Sequence, residues 1–141
     1  MLVGPEQEPD PALFASPRVA RVPPVRFEQL PRLAREAGVL VMPYADLPVT
    51  RAMQPLKLKE YLATGKPAVV RDLPATRPWA DCLDLAATPE EFSRLVRLRI
   101  AGGLPGHQRQ ARTRLAAESW EAKARAFEQW ACIKEPVRKR G

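Results

Sequence analysis

Lys57 and Glu60 stand three residues apart in the stretch QPLKLKEYLATGKPAVV, Gln54 to Val70, on a segment with helical spacing. A lysine in the first turn of a helix lies at the positive end of the helix dipole, an unfavourable position unless an anion answers both charges. Backbone N–H groups at that end have no partner within the helix and bind phosphate oxygens. The residue types therefore point towards a phosphate. A plainer reading stands beside it, in which Lys57 and Glu60 form an ordinary exposed pair worth roughly 0.2–0.5 kcal/mol. Spacing alone leaves both open.

Proline and glycine mark the elements that must position these charges. Pro55 suits the first helical turn, where its missing N–H costs nothing, and Gly65 followed by Pro67 ends the helix. Ala68, Val69 and Val70 then begin a buried strand. On the helix, Leu58 and Leu62 make the packed side with Leu56 and Ala63 flanking them, while Lys57, Glu60, Tyr61 and Thr64 share the other. The expected unit is a loop, a short helix and a core strand.

The order Pro55, Lys57, Glu60-Tyr61, Ala63, Gly65, Pro67 and Val69-Val70 resembles the donor-site signature of bacterial glycosyltransferases of the GT-B fold, family 4 or group 1-like, of the cell-wall and exopolysaccharide type. Leu2-Val3-Gly4-Pro5 looks like that family's strand-to-loop turn, and Val39 to Pro43 like its strand ending in proline. Phe92 and Trp120 also fall where the family often has them. The resemblance covers most of residues 1–131.

It implies a donor-binding, C-terminal half that takes a nucleoside-diphosphate sugar and needs no metal or other cofactor. Glu60 would accept hydrogen bonds from the ribose hydroxyls, and a carboxylate can take both at once. Thr50, Arg51, Gln54, Pro55 and Lys57 would face the diphosphate. Many relatives carry a second glutamate eight residues ahead of the ribose glutamate, and here that position is Ala52. The resemblance also implies that an acceptor-binding half and the opening strand and helix of the donor half lie outside this chain. No catalytic residue is assigned.

Strands alternating with helices argue for an α/β fold, Rossmann-like, a mostly parallel sheet flanked by helices. By resemblance this is an incomplete half of a GT-B fold. A doubly wound sheet of order 3-2-1-4-5-6 binds ligands beyond the carboxyl ends of its strands, where the order reverses. Loss of the central first strand would separate two half-sheets with unpaired edges. The expectation is a chain that is marginal alone, given net stabilities of about 5–15 kcal/mol for ordinary domains.

The 141 residues can bury one core, so the organisation expected is one incomplete domain over 1–131 and a basic tail over 132–141. Along the chain, Met1–Gly4 reads as a strand and the proline-rich run to Pro17 as loop with a helical turn at Ala12–Ala15. Val19–Val22 reads as a strand, Leu30–Ala37 as a helix, Val39–Met42 as a core strand and Cys82–Ala86 as the last strand. Thr88, Pro89 and Glu91 form a capped helix start, with Phe92, Leu95 and Val96 as its buried face. Ser119 caps a final helix, and no internal repeat is read.

With no basic start ahead of a long apolar run, synthesis in the cytoplasm is expected. Cys82 and Cys132 are far apart and His107 is the lone histidine, so neither a disulfide framework nor zinc is indicated. Cys82 reads as packing and His107 as a loop residue. The net charge of +7 gathers at Arg94, Arg97 and Arg99, at Arg109, Arg112 and Arg114, and in the tail. No recognition helix or aromatic stacking platform accompanies it, so nucleic acid is the weakest partner. Peripheral contact with an anionic inner membrane face suits an envelope or polysaccharide acceptor. An acceptor-binding half or another protein is the further partner expected. The second reading of the chain is a truncated, non-catalytic remnant or interaction module of the same fold.

Overall fold

The computed structural model describes residues 1–5 and 11–132. Residues 6–10 of the proline-rich run and the basic tail beyond Cys132 lie outside the described residues. The described chain is α/β, with parallel sheets flanked by helices in a Rossmann-like manner. It divides at Ala37 into two compact units.

The first unit, Met1–Ala37, holds β1 (Leu2–Val3), α1 (Pro11–Ala15), β2 (Arg21–Val22) and α2 (Leu30–Glu36). β1 and β2 pair in parallel, with Leu2 opposite Arg21 and Val3 opposite Val22. β2 is shorter than the expected Val19–Val22. Pro31 sits in the first turn of α2, where no N–H is required.

The second unit begins at Gly38 and contains β3 (Leu40–Met42), α3 (Pro48–Ala52), α4 (Leu56–Ala63), β4 (Ala68–Arg71), β5 (Asp84–Ala86), α5 (Pro89–Gly102), α6 (Gly106–Ala111) and α7 (Trp120–Ala131). A 3-10 stretch over Arg112–Glu118 joins α6 to α7. The three strands run parallel in the order β3-β4-β5. β4 is central, and Ala68, Val69 and Val70 are wholly buried.

Alternation along β4 builds two cores, since successive side chains point to opposite faces. Ala68 and Val70 join Met42, Leu58, Leu62, Cys82 and Leu83 on one face. Val69 joins Ala86 and Leu95 on the other, with Phe92 and Val96 packed against them. Thus α4 covers one face of the sheet and α5 the other. Leu58 and Leu62 are each 1% exposed, and burial of each contributes about 1.5–3 kcal/mol.

The punctuation works much as its chemistry predicts. Gly65 takes a positive φ of 74° just past α4, and Gly103 one of 67° just past α5. The Thr88 hydroxyl accepts from the Glu91 N–H at 3.2 Å, while the Glu91 carboxylate accepts from the Ala87 N–H at 2.9 Å, one residue earlier than a standard capping box.

Several expectations need correcting. Pro55 stands just outside α4 as its N-cap. Leu56 is 71% exposed and does not flank the core, whereas Tyr61, expected on the ligand side, is half-buried against it. β5 starts at Asp84 because Cys82 still belongs to the preceding turn, its N–H bonding back to the Trp79 carbonyl at 2.8 Å, and His107 lies on α6. A helix, α3, forms where only a loop was expected.

The largest correction concerns the basic clusters. Arg112 is buried: its Nε donates to the Cys82 carbonyl at 2.9 Å and its Nη1 to the Lys66 and Leu62 carbonyls at 2.7 and 3.3 Å. Arg99 and Asp84 form a bidentate pair at 2.6 and 2.7 Å, with side chains 14% and 10% exposed. Arg114 pairs with Asp81 and lies 4.6 Å from the centre of the Trp79 ring. Truncation of Arg112 strips charged hydrogen bonds from three carbonyls at once. Arg112→Ala should lower the unfolding free energy by about 3 kcal/mol in urea titration, while exposed Arg109→Ala should stay within about 0.5 kcal/mol.

Candidate functional site

β3 and β4 are both followed by nearly the same six residues. Asp46-Leu47-Pro48-Val49-Thr50-Arg51 and Asp72-Leu73-Pro74-Ala75-Thr76-Arg77 differ only at Val49 and Ala75. This is the internal repeat that hydrophobic patterning passes over, because it is a polar turn. Read as a literal string, DLPxTR, it is visible in the sequence.

Each copy folds into the same bracket. The Thr50 hydroxyl accepts from the Leu47 N–H at 2.9 Å and donates back to the Ala45 carbonyl at 2.5 Å. The Thr76 hydroxyl accepts from the Leu73 N–H at 2.9 Å and donates to the Arg71 carbonyl at 2.9 Å. Arg51 grips Asp46 through Nε and Nη2 at 2.6 and 2.9 Å, and Arg77 grips Asp72 in the same way at 2.7 and 3.3 Å. A threonine fits because one hydroxyl both accepts and donates. An arginine fits because its planar fork matches a carboxylate edge on.

The Arg51 guanidinium holds the Asp46 carboxyl below the usual range, with smaller attractions from Arg71 and Arg77. The two brackets therefore share one electrostatic neighbourhood beyond the carboxyl ends of β3 and β4. Arg71 adds a bond from its Nη1 to the Ala87 carbonyl, reaching the end of β5. These are the strand ends at which open α/β sheets bind ligands.

The six residues singled out in the sequence divide into three pairs. Thr50 and Arg51 are engaged in the first bracket, although the Arg51 side chain remains 61% exposed. Gln54 and Pro55 line a cavity of about 700 Å³ together with Lys59, Trp79, Arg114 and Glu118. Lys57 and Glu60 are exposed on α4. Neither side chain makes a hydrogen bond or an ion pair among the described residues, and they do not pair with each other. Both are exposed, as the plainer reading has them, without an ion pair closing between them.

Lys59, between them, behaves differently. It bonds to Glu118, which also accepts from Lys123 at 3.2 Å, tying α4 to the 3-10 stretch and α7. Both lysines hold the Glu118 carboxyl below its ordinary value. Sequence reasoning missed this tie, because its partners are distant along the chain. Burial pushes the Tyr61 phenol and the Cys82 thiol up, which keeps both protonated and inert near neutrality. Among the described residues, no group of three or more His, Cys, Asp or Glu side chains could hold a metal ion, and no helix is long and apolar enough to cross a membrane.

Fold and strand ends together define a Rossmann-like α/β architecture with paired charges beyond the carboxyl ends of β3 and β4. The chain is 38% identical over 64 residues to a Bacillus subtilis (strain 168) protein named "Putative teichuronic acid biosynthesis glycosyltransferase TuaH". The match takes in 45% of this chain and 16% of that relative, so it spans about a sixth of the relative's length. No family model matches the chain, and no solved structure matches it.

Two outcomes follow from the geometry. Thr76 is 1% exposed, so Thr76→Val should cost about 1–3 kcal/mol, and the half-buried Thr50 less, when each variant is melted beside the parent. The Glu118 carboxyl is depressed in the folded chain, so its contribution is complete above the ordinary value of 4.5 and disappears as pH falls through the folded value. Acid titration of stability should therefore show a shallower loss for Glu118→Gln than for the parent.

Proposed function

We propose that this chain binds the donor in a glycosyl transfer, presenting a nucleoside-diphosphate sugar to an acceptor held by a separate half or partner. The observation that carries this reading is the unpaired state of Lys57 and Glu60 on α4. Around them Arg51, Lys59, Arg77 and Arg114 all have carboxylate partners. Two opposite charges three residues apart, both without a partner, fit a ligand with a cationic need at one end and hydroxyl donors at the other.

In this reading Glu60 accepts the ribose hydroxyls, and Lys57 with the first N–H groups of α4 neutralises the diphosphate. Gln54 and Pro55 border the donor at the cavity rim, and Thr50 and Arg51 hold the preceding loop through Asp46. Displacement at the anomeric carbon builds charge on the leaving diphosphate, which Lys57 and the helix start stabilise. Ala52 offers no carboxylate to the sugar. The acceptor is an envelope polysaccharide or its precursor, the class suggested by the name of the relative. The family assignment, GT-B and family 4-like, and a cytoplasmic location belong to the same proposal. No metal takes part.

A second reading, the non-catalytic remnant or interaction module, draws on one observation: the strands lie in two separate sheets, a pair and a triple. Calorimetric titration of the folded chain with uridine and guanosine diphosphates and their sugars separates the two. Donor binding predicts that Glu60→Ala weakens nucleoside diphosphates by about 10–100-fold while leaving inorganic pyrophosphate unchanged. Lys57→Ala should weaken both and reduce the salt dependence. A folded chain that binds no nucleotide, or binds it equally in both variants, overturns the donor site in favour of the remnant.

A further inference from the structure

The two outer strands of the three-stranded sheet treat their edges differently. β5 is guarded by a charge at its first position: the Asp84 carboxylate accepts from Arg99 of α5 at 2.6 and 2.7 Å and from the Gln108 amide of α6 at 3.3 Å. Charged residues and covering helices are among the devices that keep a sheet edge from pairing further. β3 carries neither. Leu40, Val41 and Met42 hold no charge, and β4 is their one strand neighbour among the described residues.

Register decides which backbone groups of β3 are left over. Leu40 lies opposite Ala68 and donates its N–H to the Pro67 carbonyl at 2.9 Å, while Met42 lies opposite Val70. In a parallel ladder alternate residues turn both backbone groups to the same side, so Leu40 and Met42 face β4. The Val41 N–H and carbonyl therefore face outward, and the residue is 37% exposed. Pro43 ends the strand two residues further on and takes nothing from Val41.

A donor and an acceptor on one residue, aimed the same way, are complementary to themselves. Turned about a two-fold axis through Val41, a second β3 runs antiparallel to the first, and each Val41 N–H meets the other's carbonyl. Leu40 then stands across from Met42 of the second copy on one face, and the two Val41 side chains stand across from each other on the other. Every one of these cross-strand pairs is apolar, and the central one is β-branched, the kind that stabilises a ladder. An unrelated strand would have to bring a matching register with it. A second copy has that register by symmetry, and two-fold dimers are the commonest oligomers.

We infer that two copies of this chain join through β3 about a two-fold axis at Val41, each extending its three-stranded sheet into the other's. The inference does not depend on the donor reading, since Val41 belongs to no part of that site.

Sedimentation equilibrium of the full chain should show monomers passing to dimers as concentration rises. Val41→Lys sets like charges directly across the axis and should weaken dimerisation by about fivefold or more. Ile100→Lys, at a 67% exposed position on α5, should leave it unchanged. Cysteines read the register itself. Residues in a hydrogen-bonded antiparallel pair have Cα atoms about 5.5 Å apart, inside the roughly 4.4–6.8 Å that a disulfide spans. With the exposed Cys132 replaced by serine, Val41→Cys should oxidise to a covalent dimer well ahead of Ile100→Cys. If circular dichroism shows that Val41→Lys does not fold, the cysteine comparison still decides. A parent that stays monomeric at every concentration overturns the inference. So does equal cross-linking at positions 41 and 100, or a folded Val41→Lys that dimerises as the parent does.

Discussion

The buried guanidinium of Arg112 is the contact on which the second unit depends. Two of its three acceptors, the Leu62 and Lys66 carbonyls, lie at and just beyond the carboxyl end of α4, and the third, Cys82, lies on the approach to β5. The last carbonyls of a helix lack intrahelical donors and carry the negative end of its dipole, so a cation there serves both needs. Desolvation pulls its pKa down, and the three carbonyls it donates to answer the buried cation. One side chain therefore fixes the end of α4, the entry to β4 and the entry to β5. Lys57 in the first turn of α4 and Glu60 at its middle inherit their placement from it.

This contact also changes the meaning of the net charge. Arginines that look like a solvated basic surface in the sequence are mostly committed: Arg112 to carbonyls, Arg99 to Asp84, Arg114 to Asp81 and Trp79, Arg51 and Arg77 to the brackets. Each pairing removes a cation from any stripe that a polyanion could track. Those exposed to solvent add little stability, because water screens the attraction. The pair between Arg99 and Asp84 is different, since both side chains are nearly buried and a lost partner would leave an uncompensated charge. Among the described residues, Lys57 and Glu60 stand unpaired within α4 itself, and Lys66 just beyond it has no carboxylate partner either.

The elements legible in the sequence were those specified by local rules. Pro55, Gly65 and Pro67 delimited α4, and the Thr88-Pro89 cap located α5, because each acts on its own few residues. Leu58, Leu62, Leu95 and Phe92 were legible as packing residues from helical spacing. What escaped were relationships across the chain. No periodicity connects Arg112 with Leu62 and Cys82, or Lys59 with Glu118, so buried and paired charges read as exposed ones. Leu56 was misplaced because it lies at the first position of α4, where the apolar stripe has not yet turned inward. As for the candidate site, the six residues were chosen by family order, which places them in one segment but does not show that Thr50 and Arg51 are occupied while Lys57 and Glu60 are not.

The twin brackets show how one residue decides what an identical device leads to. In both copies the arginine N–H reaches back to the leucine carbonyl, Arg51 to Leu47 at 2.9 Å and Arg77 to Leu73 at 3.2 Å, so both begin a helical turn. After Arg51 comes Ala52, an excellent helix former, and the turn grows into α3 with Met53 bonding back to Val49 at 3.1 Å. After Arg77 comes Pro78, which has no N–H to continue the ladder, and the chain tightens into a 3-10 turn that delivers Trp79. The first bracket thus hands the chain on to the start of α4 and its two unpaired charges. The second hands it to the aromatic wall of the adjoining cavity. An alanine at position 52 is the place where a carboxylate contact to the sugar is absent by comparison with many relatives of the proposed family, yet it is also the residue that lets α3 form. Many side chains with a free backbone N–H would continue the turn at position 52, so it is the proline at 78 that makes the second copy stop short.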